Sequence, residues 1–244
     1  MRAFLKSIPQ LRRLRYRLMQ LKHGTKSEAD EADILADLAA TTAAPKTFVE
    51  FGFHPVKFNC AAFANEPEWR GLLIDGSAEQ VEDAKVLLPT SIDIRNSFLS
   101  LDNLDFIRTK FERLGILSID VDGNDYWFLE KLIGIGPSII SVEYNASFES
   151  ASVTVPYDPT FVRHQKHPTG WYHGASLAAL AKLCGEHGYG LAAVSTYGAN
   201  AFFTKSGNLD PAAAWKPNLE RNAWSGTTST QQWEAIKGMP LVAV

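Results

Sequence analysis

The stretch GILSIDVDGNDYWFLEKLIGIGPSIISVEYN, residues 115–145, decides the fold of this chain. It contains two short apolar runs rich in β-branched residues, 116–119 and 139–142, which we predict to be strands buried on both faces of a parallel sheet. A helix is predicted between them at 126–132, and acids follow each run where the strand should end. Ligands of open α/β sheets bind in the crevice at the carboxyl ends of the strands. We therefore expect the chemistry of this protein to lie around these acids.

Alternating strands and helices extend on both sides of this stretch. The predicted strands upstream are 47–53, 71–75 and 91–94, and the predicted helices are 58–65, 78–88 and 104–114. Downstream, an irregular insertion is followed by a helix at 175–187 and by two strands, 189–196 and 199–205, that form a hairpin. This order predicts an α/β protein with a doubly wound Rossmann-like sheet, mostly parallel, that ends in an antiparallel hairpin.

Composition and local pattern divide the chain into three regions. Residues 46–205 form the main domain, in which the insertion at 146–172, rich in Pro, Tyr, His and Thr, is predicted to be a lid over the substrate. Residues 1–45 precede it as a basic amphipathic helix and a second helix. Residues 206–244 are predicted to be an arm that packs on the domain or joins an oligomer.

The N-terminal helix is basic on one side and apolar on the other. No acid precedes Glu28, whereas Arg and Lys recur throughout, and the leucines lie at helical spacing. Ser7 is expected to cap this helix, with Pro9 in its first turn. Two hypotheses follow: the helix contacts an anionic membrane surface, or it packs its leucines on its own domain or in a homodimer.

Overall composition narrows the class of protein. With 244 residues, of which 45% are hydrophobic, the chain can bury one sizeable core, and its net charge of -3 gives no case for a nucleic-acid partner. Cys60 and Cys184 are too few for a disulfide framework or a cysteine metal site. The sequence has no apolar run long enough to span a membrane, so we predict a cytoplasmic protein with peripheral contact at the inner membrane surface.

Five motifs resemble the FkbM-like group of class I S-adenosylmethionine-dependent methyltransferases, many of which modify sugars or glycosylated natural products. They are VEFG at 49–52, LLIDGS at 72–77, SIDVDGNDYW at 118–127, VEYN at 142–145 and NAFF at 200–203. The resemblance covers 46–205. It implies S-adenosylmethionine as the cofactor and O-methylation of a saccharide or glycoconjugate hydroxyl.

The resemblance also implies cofactor contacts. Glu50 and Gly52 match the first methyltransferase motif, and Asp75 matches the acid that binds the ribose hydroxyls. The implied contacts further include Gly76, Ser77 and Asp120. His54 and Pro55 depart from the family pattern, which often has small residues there.

Two other classes of function remain open. One is a non-catalytic Rossmann-like protein that binds a glycan or a nucleotide. The other is an NAD-dependent oxidoreductase, but the chain has only Gly52 where the dinucleotide fingerprint needs three glycines.

The acids at the strand ends suggest two ways to activate a hydroxyl. In the first, Asp120 or Asp122 holds Mg²⁺ or Mn²⁺ together with Glu143 and Asn145, because hard oxygen ligands suit these ions. In the alternative, Asp120 contacts the cofactor, 122–125 forms a turn and helix cap, and Glu143 bonds locally. His173 is the predicted base, at the rim of the cleft and near a helix N-terminus that would lower its pKa. His173 and Asp122 are therefore the catalytic candidates.

Overall fold

A computed structural model describes residues 8–244 of the chain. Its strands, in chain order, are β1 (Thr47–Phe51), β2 (Arg70–Asp75), β3 (Ile92–Asn96), β4 (Ile116–Ile119), β5 (Ile139–Glu143), β6 (Val153–Thr154), β7 (Gly190–Val194), β8 (Asn200–Thr204) and β9 (Val242–Ala243).

The main sheet has the strand order β3-β2-β1-β4-β5-β8-β7 within the described residues. Strands β1 to β5 run parallel, whereas β8 is antiparallel to both β5 and β7. The strand order reverses between β1 and β4, so a crevice opens at their carboxyl ends. The structure thus confirms the predicted doubly wound, mostly parallel sheet with a terminal antiparallel hairpin.

Helices cover both faces of this sheet. They are α1 (Pro9–His23), α2 (Glu31–Thr41), α3 (Ala78–Leu87), α4 (Asp125–Leu132), α5 (Arg163–Lys166), α6 (Leu177–Glu186), α7 (Pro211–Ala214), α8 (Leu219–Ser225) and α9 (Ser229–Ile236). Shorter 3₁₀ turns are Asn59–Phe63, Asp105–Thr109, Ile133–Ile135 and Ala146–Phe148.

The core has one layer on each face of the sheet. Leu72 belongs to the layer that includes α4 and α6, whereas its neighbour Leu73 belongs to the layer that includes α2 and α3. Both side chains are fully buried. Burial on both faces explains why the strands are continuous apolar runs, and each such leucine contributes about 1.5–3 kcal/mol of transfer free energy.

Two predicted helices are only short 3₁₀ turns in the structure. Residues 104–114 contain only the 3₁₀ turn Asp105–Thr109, because Leu104 and Ile107 already bury their side chains within one turn. The Thr109 hydroxyl donates to the Phe106 carbonyl at the end of that turn. The predicted helix at 58–65 is likewise a short 3₁₀ turn, Asn59–Phe63.

The insertion and the C-terminal arm pack together. Strand β6 of the insertion pairs with β9 at the end of the arm, and a small apolar cluster joins Phe148 and Phe161 to Ile236. The arm is therefore anchored beside the predicted lid.

The N-terminal segment forms α1 with Pro9 in its first turn, as predicted. The expected cap at Ser7 and the basic residues before Ile8 lie outside the described residues. None of the helices within 8–244 has the length and apolar character that crossing a membrane requires.

Candidate active site

The ends of β1 and β4 meet closely at the point where the strand order reverses. Gly52 has φ of 70°, and a Cβ there would lie 1.6 Å from the backbone carbonyl oxygen of Asp120. Only glycine allows this approach and this left-handed conformation without strain. Gly52 and Asp120 therefore form the floor of the crevice.

Asp75 ends β2 beside this floor. Its Oδ1 accepts from the Ser77 backbone N at 2.6 Å, and its Oδ2 accepts from the Phe53 backbone N at 3.2 Å. Burial raises the pKa of Asp75, although the two backbone hydrogen bonds oppose that shift. A carboxylate has lone pairs for further donors, so the fixed side chain can still accept from a ligand. The Ser77 hydroxyl caps α3 by accepting from the Gln80 backbone N.

Two cavities adjoin Asp75, with volumes of about 360 Å³ and 280 Å³. The larger has both apolar and polar walls: its lining includes the apolar side chains of Phe98, Leu99, Val121, Phe128 and Phe161 and the polar residues Ser77, Ser97 and Asn124, with Gly76. The smaller is polar and is lined by Glu28, Glu50, His54, Lys57, Asn59 and Gln80. Gly52, Asp75, Asp120 and Asp122 line both cavities, which therefore share one set of strand-end residues.

Glu50 is buried at the polar cavity. Its carboxylate accepts from the backbone N of Asn59 at 2.7 Å and of Cys60 at 2.8 Å, which fixes the start of the 3₁₀ turn. Burial raises the pKa of Glu50 to about 7, although both hydrogen bonds oppose the shift. Its contact with a cofactor stays a prediction. His54, in the same cavity, is half-buried and packs its ring edge to face with Tyr16.

A third cavity, of about 500 Å³, lies beyond Asp120 and Asp122. Its lining comes from the N-terminal region, the strand ends, the insertion, the hairpin and the arm, and includes Glu31, Glu143, Arg163, Trp171, Tyr197, Asn200, Arg221 and Trp224. Asp120 and Asp122 line all three cavities, so a group in the third cavity would lie next to a ligand in the first two.

Four buried polar atoms of residues that line this third cavity have no hydrogen-bond partner among the described residues. They are the acceptors Glu31 Oε1, Glu143 Oε2 and Asn200 Oδ1 and the donor Trp171 Nε1. Buried polar groups are usually paired, because an unpaired one costs about 1–3 kcal/mol. The cavity is thus suited to a ligand that both donates and accepts hydrogen bonds.

Acidic groups crowd the end of β4. Asp122 has φ of 57° and forms an ion pair with Arg163. The same Arg163 Nη1 lies 4.0 Å from Glu143 Oε1. Burial and the charges of Glu143 and Asp122 raise the pKa of Asp120 well above its usual value. Arg163 therefore offsets part of the negative charge between the strand ends.

Asp125 supports the turn between β4 and α4. Its carboxylate accepts from the backbone N of Val121 and of Gly123, both at 2.9 Å. Burial and then Glu143 raise the pKa of Asp125 to about 8. The backbone bends at 122–123, but the expected helix cap is absent, because Asn124 at the N-cap of α4 makes no side-chain capping hydrogen bond.

The predicted metal ligands are only partly brought together. The ligand atoms of Asp122, Glu143 and His173 lie within 4.8 Å of one another. Asn145 is not among them, because its Oδ1 accepts from Arg221 at 2.7 Å and its Nδ2 donates to the carbonyls of Trp171 and His173. The Asn145 amide is therefore not available to a metal in this arrangement.

Two guanidinium groups already contact this cluster. Arg163 pairs with Asp122, and Arg221 Nη2 lies 3.2 Å from His173 Nε2. A divalent ion would have to displace both contacts, so the residues as arranged do not fit a metal. We derive no chemical step through one.

His173 does not lie at the rim of the cleft, so that expectation is wrong. Its side chain is fully buried, with Nε2 3.5 Å from Glu143 Oε1. The Ala175 carbonyl accepts from the Asn145 backbone N, which holds the segment before α6 beneath the insertion. Burial and then the charges of Arg163 and Arg221 lower the pKa of His173 well below its usual value. The imidazole is therefore neutral near pH 7, as predicted for a base, but it lies behind Glu143.

Sequence patterns missed three residues of this site. Arg163 lies in the insertion and Arg221 in the arm, where no motif marks a single arginine. Asn200 lies within the NAFF segment but has no chemical pattern of its own. The fold brings the insertion, the arm and the hairpin together, and only this proximity shows that the three residues belong to one site.

Comparison with known proteins supports the fold at low sequence identity. No protein-family model matches the chain, and no curated protein matches its sequence. An O-methyltransferase from Bacillus cereus in complex with S-adenosylhomocysteine is 15% identical, with a TM-score of 0.52, over 82% of this chain and 94% of that one. A putative O-methyltransferase from Klebsiella pneumoniae is 16% identical, with a TM-score of 0.51, over 78% and 87%. The fold is that of class I methyltransferases, and the FkbM-like assignment stays a prediction.

Proposed function

We propose that this protein is an S-adenosylmethionine-dependent methyltransferase that methylates a hydroxyl of a saccharide or glycoconjugate. The observation that carries the proposal is the position of Asp75 at the end of β2, between a cavity with an apolar wall and a more polar cavity. S-adenosylmethionine has a matching arrangement of parts, with a purine at one end, a ribose diol in the middle and an amino acid at the other end. When bound, it supplies an electrophilic methyl group.

The residues of the two cavities suit the parts of this cofactor. The apolar side chains Phe98, Leu99 and Phe128 offer a surface for the purine. The Asp75 carboxylate offers acceptors to the two ribose hydroxyls. In the polar cavity, Gln80 has a buried Oε1 without a partner among the described residues, which suits an ammonium group. The residues present therefore fit the group.

The third cavity supports a polyhydroxy acceptor. Its unpartnered atoms include Glu143 Oε2, Asn200 Oδ1 and Trp171 Nε1, which match the mixed donors and acceptors of sugar hydroxyls. Tyr197 and Trp224 are 42% and 77% exposed and line the same cavity. Aromatic faces with one polar edge suit the apolar face of a sugar ring.

We assign acceptance of the hydroxyl proton to Glu143, because its Oε2 is unpartnered and its side chain lines the cavity. His173 Nε2 lies 3.5 Å from the other carboxylate oxygen but accepts from Arg221 Nη2 at 3.2 Å, so the buried neutral imidazole is a neighbour of Glu143 rather than the acceptor of its proton. Asp122 then has an electrostatic role, since Arg163 holds it beside both the cofactor cavities and the acceptor cavity. A divalent ion on Asp122, Glu143 and His173 is the alternative arrangement and requires both Arg163 and Arg221 to move.

Two other functions are tested by the same measurements. A non-catalytic glycan- or nucleotide-binding protein would bind ligand without turnover, and an NAD-dependent oxidoreductase would bind NAD. The single glycine at 52 disfavours a dinucleotide, because a pyrophosphate needs free backbone N–H groups at this turn and the Gly52 N–H donates to the Ile74 carbonyl.

Methyl transfer from labelled S-adenosylmethionine to a panel of monosaccharides, glycosides and lipid-linked sugars tests the proposal. We expect labelled methyl ethers and S-adenosylhomocysteine in equal amounts. Glu143→Gln should lower turnover by about 100-fold or more while cofactor binding is kept, because the change removes the proton acceptor. Glu149→Gln, outside the cavity, is the control. Binding of NAD in preference to S-adenosylhomocysteine would refute the proposal.

A further inference from the structure

Helix α1 packs on the domain through the side that carries Arg12 and Arg13, not through the side that carries its leucines. Arg12 is buried and forms ion pairs with Asp83 and Glu79 of α3, the latter at 2.9 Å. Arg13 Nε also binds Asp83, at 2.7 Å. Tyr16 packs on His54 from the same side of the helix. These contacts fix which side of α1 faces the protein.

The opposite side of α1 presents a stripe of leucines to solvent. Leu11, Leu14, Leu18 and Leu21, spaced by three, four and three residues, are 40%, 55%, 58% and 84% exposed. This spacing places them on one face of a helix. The hypothesis that α1 packs its leucines on its own domain is therefore wrong.

Basic side chains flank this leucine stripe. At 3.6 residues per turn, Arg17 lies along one edge and Arg15 and Lys22 lie along the other, and all three are exposed. The sequence has no acid before Glu28, so no carboxylate of α1 neutralises them.

We propose that the leucine stripe of α1 is a docking surface for an anionic lipid bilayer. A helix with leucines on one face and basic residues at its edges lies in the interface with the leucines among acyl chains and the cations among headgroups. The ion pairs with α3 hold α1 in the orientation that this requires, because they occupy the opposite side. The inference is independent of the proposed methyltransferase activity.

Charge favours a bilayer over a second copy of the chain. The leucine spacing would also suit a paired helix, in which residues beside the apolar seam face those of the partner. In such a pair, Arg15, Arg17 and Lys22 would face cations of the same sign in either orientation. Like charges across a seam oppose pairing, whereas anionic headgroups attract all three.

Vesicle sedimentation with the full-length protein tests this surface. We expect binding to phosphatidylglycerol–phosphatidylcholine vesicles at low salt, weaker binding as salt rises, and little binding to phosphatidylcholine alone. Leu18→Glu should weaken binding by about tenfold or more, because it places a carboxylate in the apolar face. Leu209→Glu, at a leucine that is 45% exposed outside α1, is the matched control and should bind as the native protein does.

Four results would overturn the proposal. The native protein could ignore anionic vesicles, Leu209→Glu could weaken binding as much as Leu18→Glu, or sedimentation velocity could find a dimer that Leu18→Glu dissociates. Unfolding curves and S-adenosylhomocysteine affinity should be unchanged in Leu18→Glu, since the stripe contacts neither the core nor the cavities. A Leu18→Glu protein that keeps its fold but still binds anionic vesicles as tightly as the native protein also refutes the assignment.

Discussion

The Arg221 guanidinium lies 3.2 Å from Nε2 of His173, although the two residues come from the C-terminal arm and from the segment before α6. The same guanidinium donates to Asn145 and to Ser147, at 2.7 Å and 3.1 Å. Burial and then Arg163 lower the pKa of Arg221 to about 10, so it is still charged at neutral pH. The arm therefore helps to keep His173 neutral.

Because His173 is buried in its neutral form, the free energy of unfolding should depend on pH. The pKa of His173 is well below its usual value in the folded protein, whereas an unfolded histidine has a pKa of about 6.5. As pH falls below about 6.5, the unfolded state binds a proton that the folded state does not, so the free energy of unfolding decreases. The slope from this group should approach, at most, about 1.4 kcal/mol per pH unit.

Urea unfolding between pH 5 and about 8 measures this slope. His173→Gln should flatten it, because glutamine has no proton to gain in this range. His187→Gln, at an exposed position, is the control and should follow the native curve. A native-like slope in folded His173→Gln would show that other groups cause the dependence.

Gly52→Ala should disrupt the floor of the crevice. The new Cβ would lie 1.6 Å from the Asp120 carbonyl oxygen at a backbone φ of 70°, so β1 and β4 would have to separate. We expect a loss of about 2 kcal/mol or more in unfolding free energy, together with weaker S-adenosylhomocysteine binding.

Gly134→Ala is the matched control for this change. A Cβ at Gly134 has no atom within 4 Å, so the substitution should alter stability by no more than about 0.5 kcal/mol. If both variants unfold at the same urea concentration, the close approach at Gly52 is not a constraint.

Chelation tests whether Arg163 or a divalent ion neutralises the acids at the strand ends. Since Arg163 already pairs with Asp122, we expect methyl transfer to survive EDTA and to fall in Arg163→Gln. Arg108→Gln, at an exposed arginine outside the cavities, should keep full activity. Loss of activity with EDTA and its recovery with Mg²⁺ or Mn²⁺ would instead establish the predicted metal.

Local pattern predicted the sheet because its strands are buried on both faces. Leu72 and Leu73 point to opposite layers, yet both must be apolar, and such runs stand out in a sequence. The prediction of a helix at 104–114 is wrong because the pattern of that segment is ambiguous. Its apolar spacing fits a single turn as well as a helix, and tertiary contacts determine which one forms.

The candidate site was predictable only where it lies at the ends of strands. Asp75, Asp120 and Glu143 follow apolar runs, so the fold class alone places them in the crevice. The side chains that alter the charge balance at these acids, Arg163 and Arg221, lie in the short helices α5 and α8, and no periodicity predicts where these helices pack. His173 was expected at the surface because its burial depends on how the insertion and the arm pack over it.

Calorimetric titration with S-adenosylhomocysteine tests the central claim most directly, because it requires no knowledge of the acceptor. We expect the native protein to bind it, and Asp75→Asn to weaken binding by about 1.5–3 kcal/mol, the scale of charge-assisted hydrogen bonds to the ribose. Asp102→Asn, at an exposed aspartate away from the cavities, should bind as the native protein does. A folded native protein that does not bind S-adenosylhomocysteine, or an Asp75→Asn variant with unchanged affinity, would contradict this account.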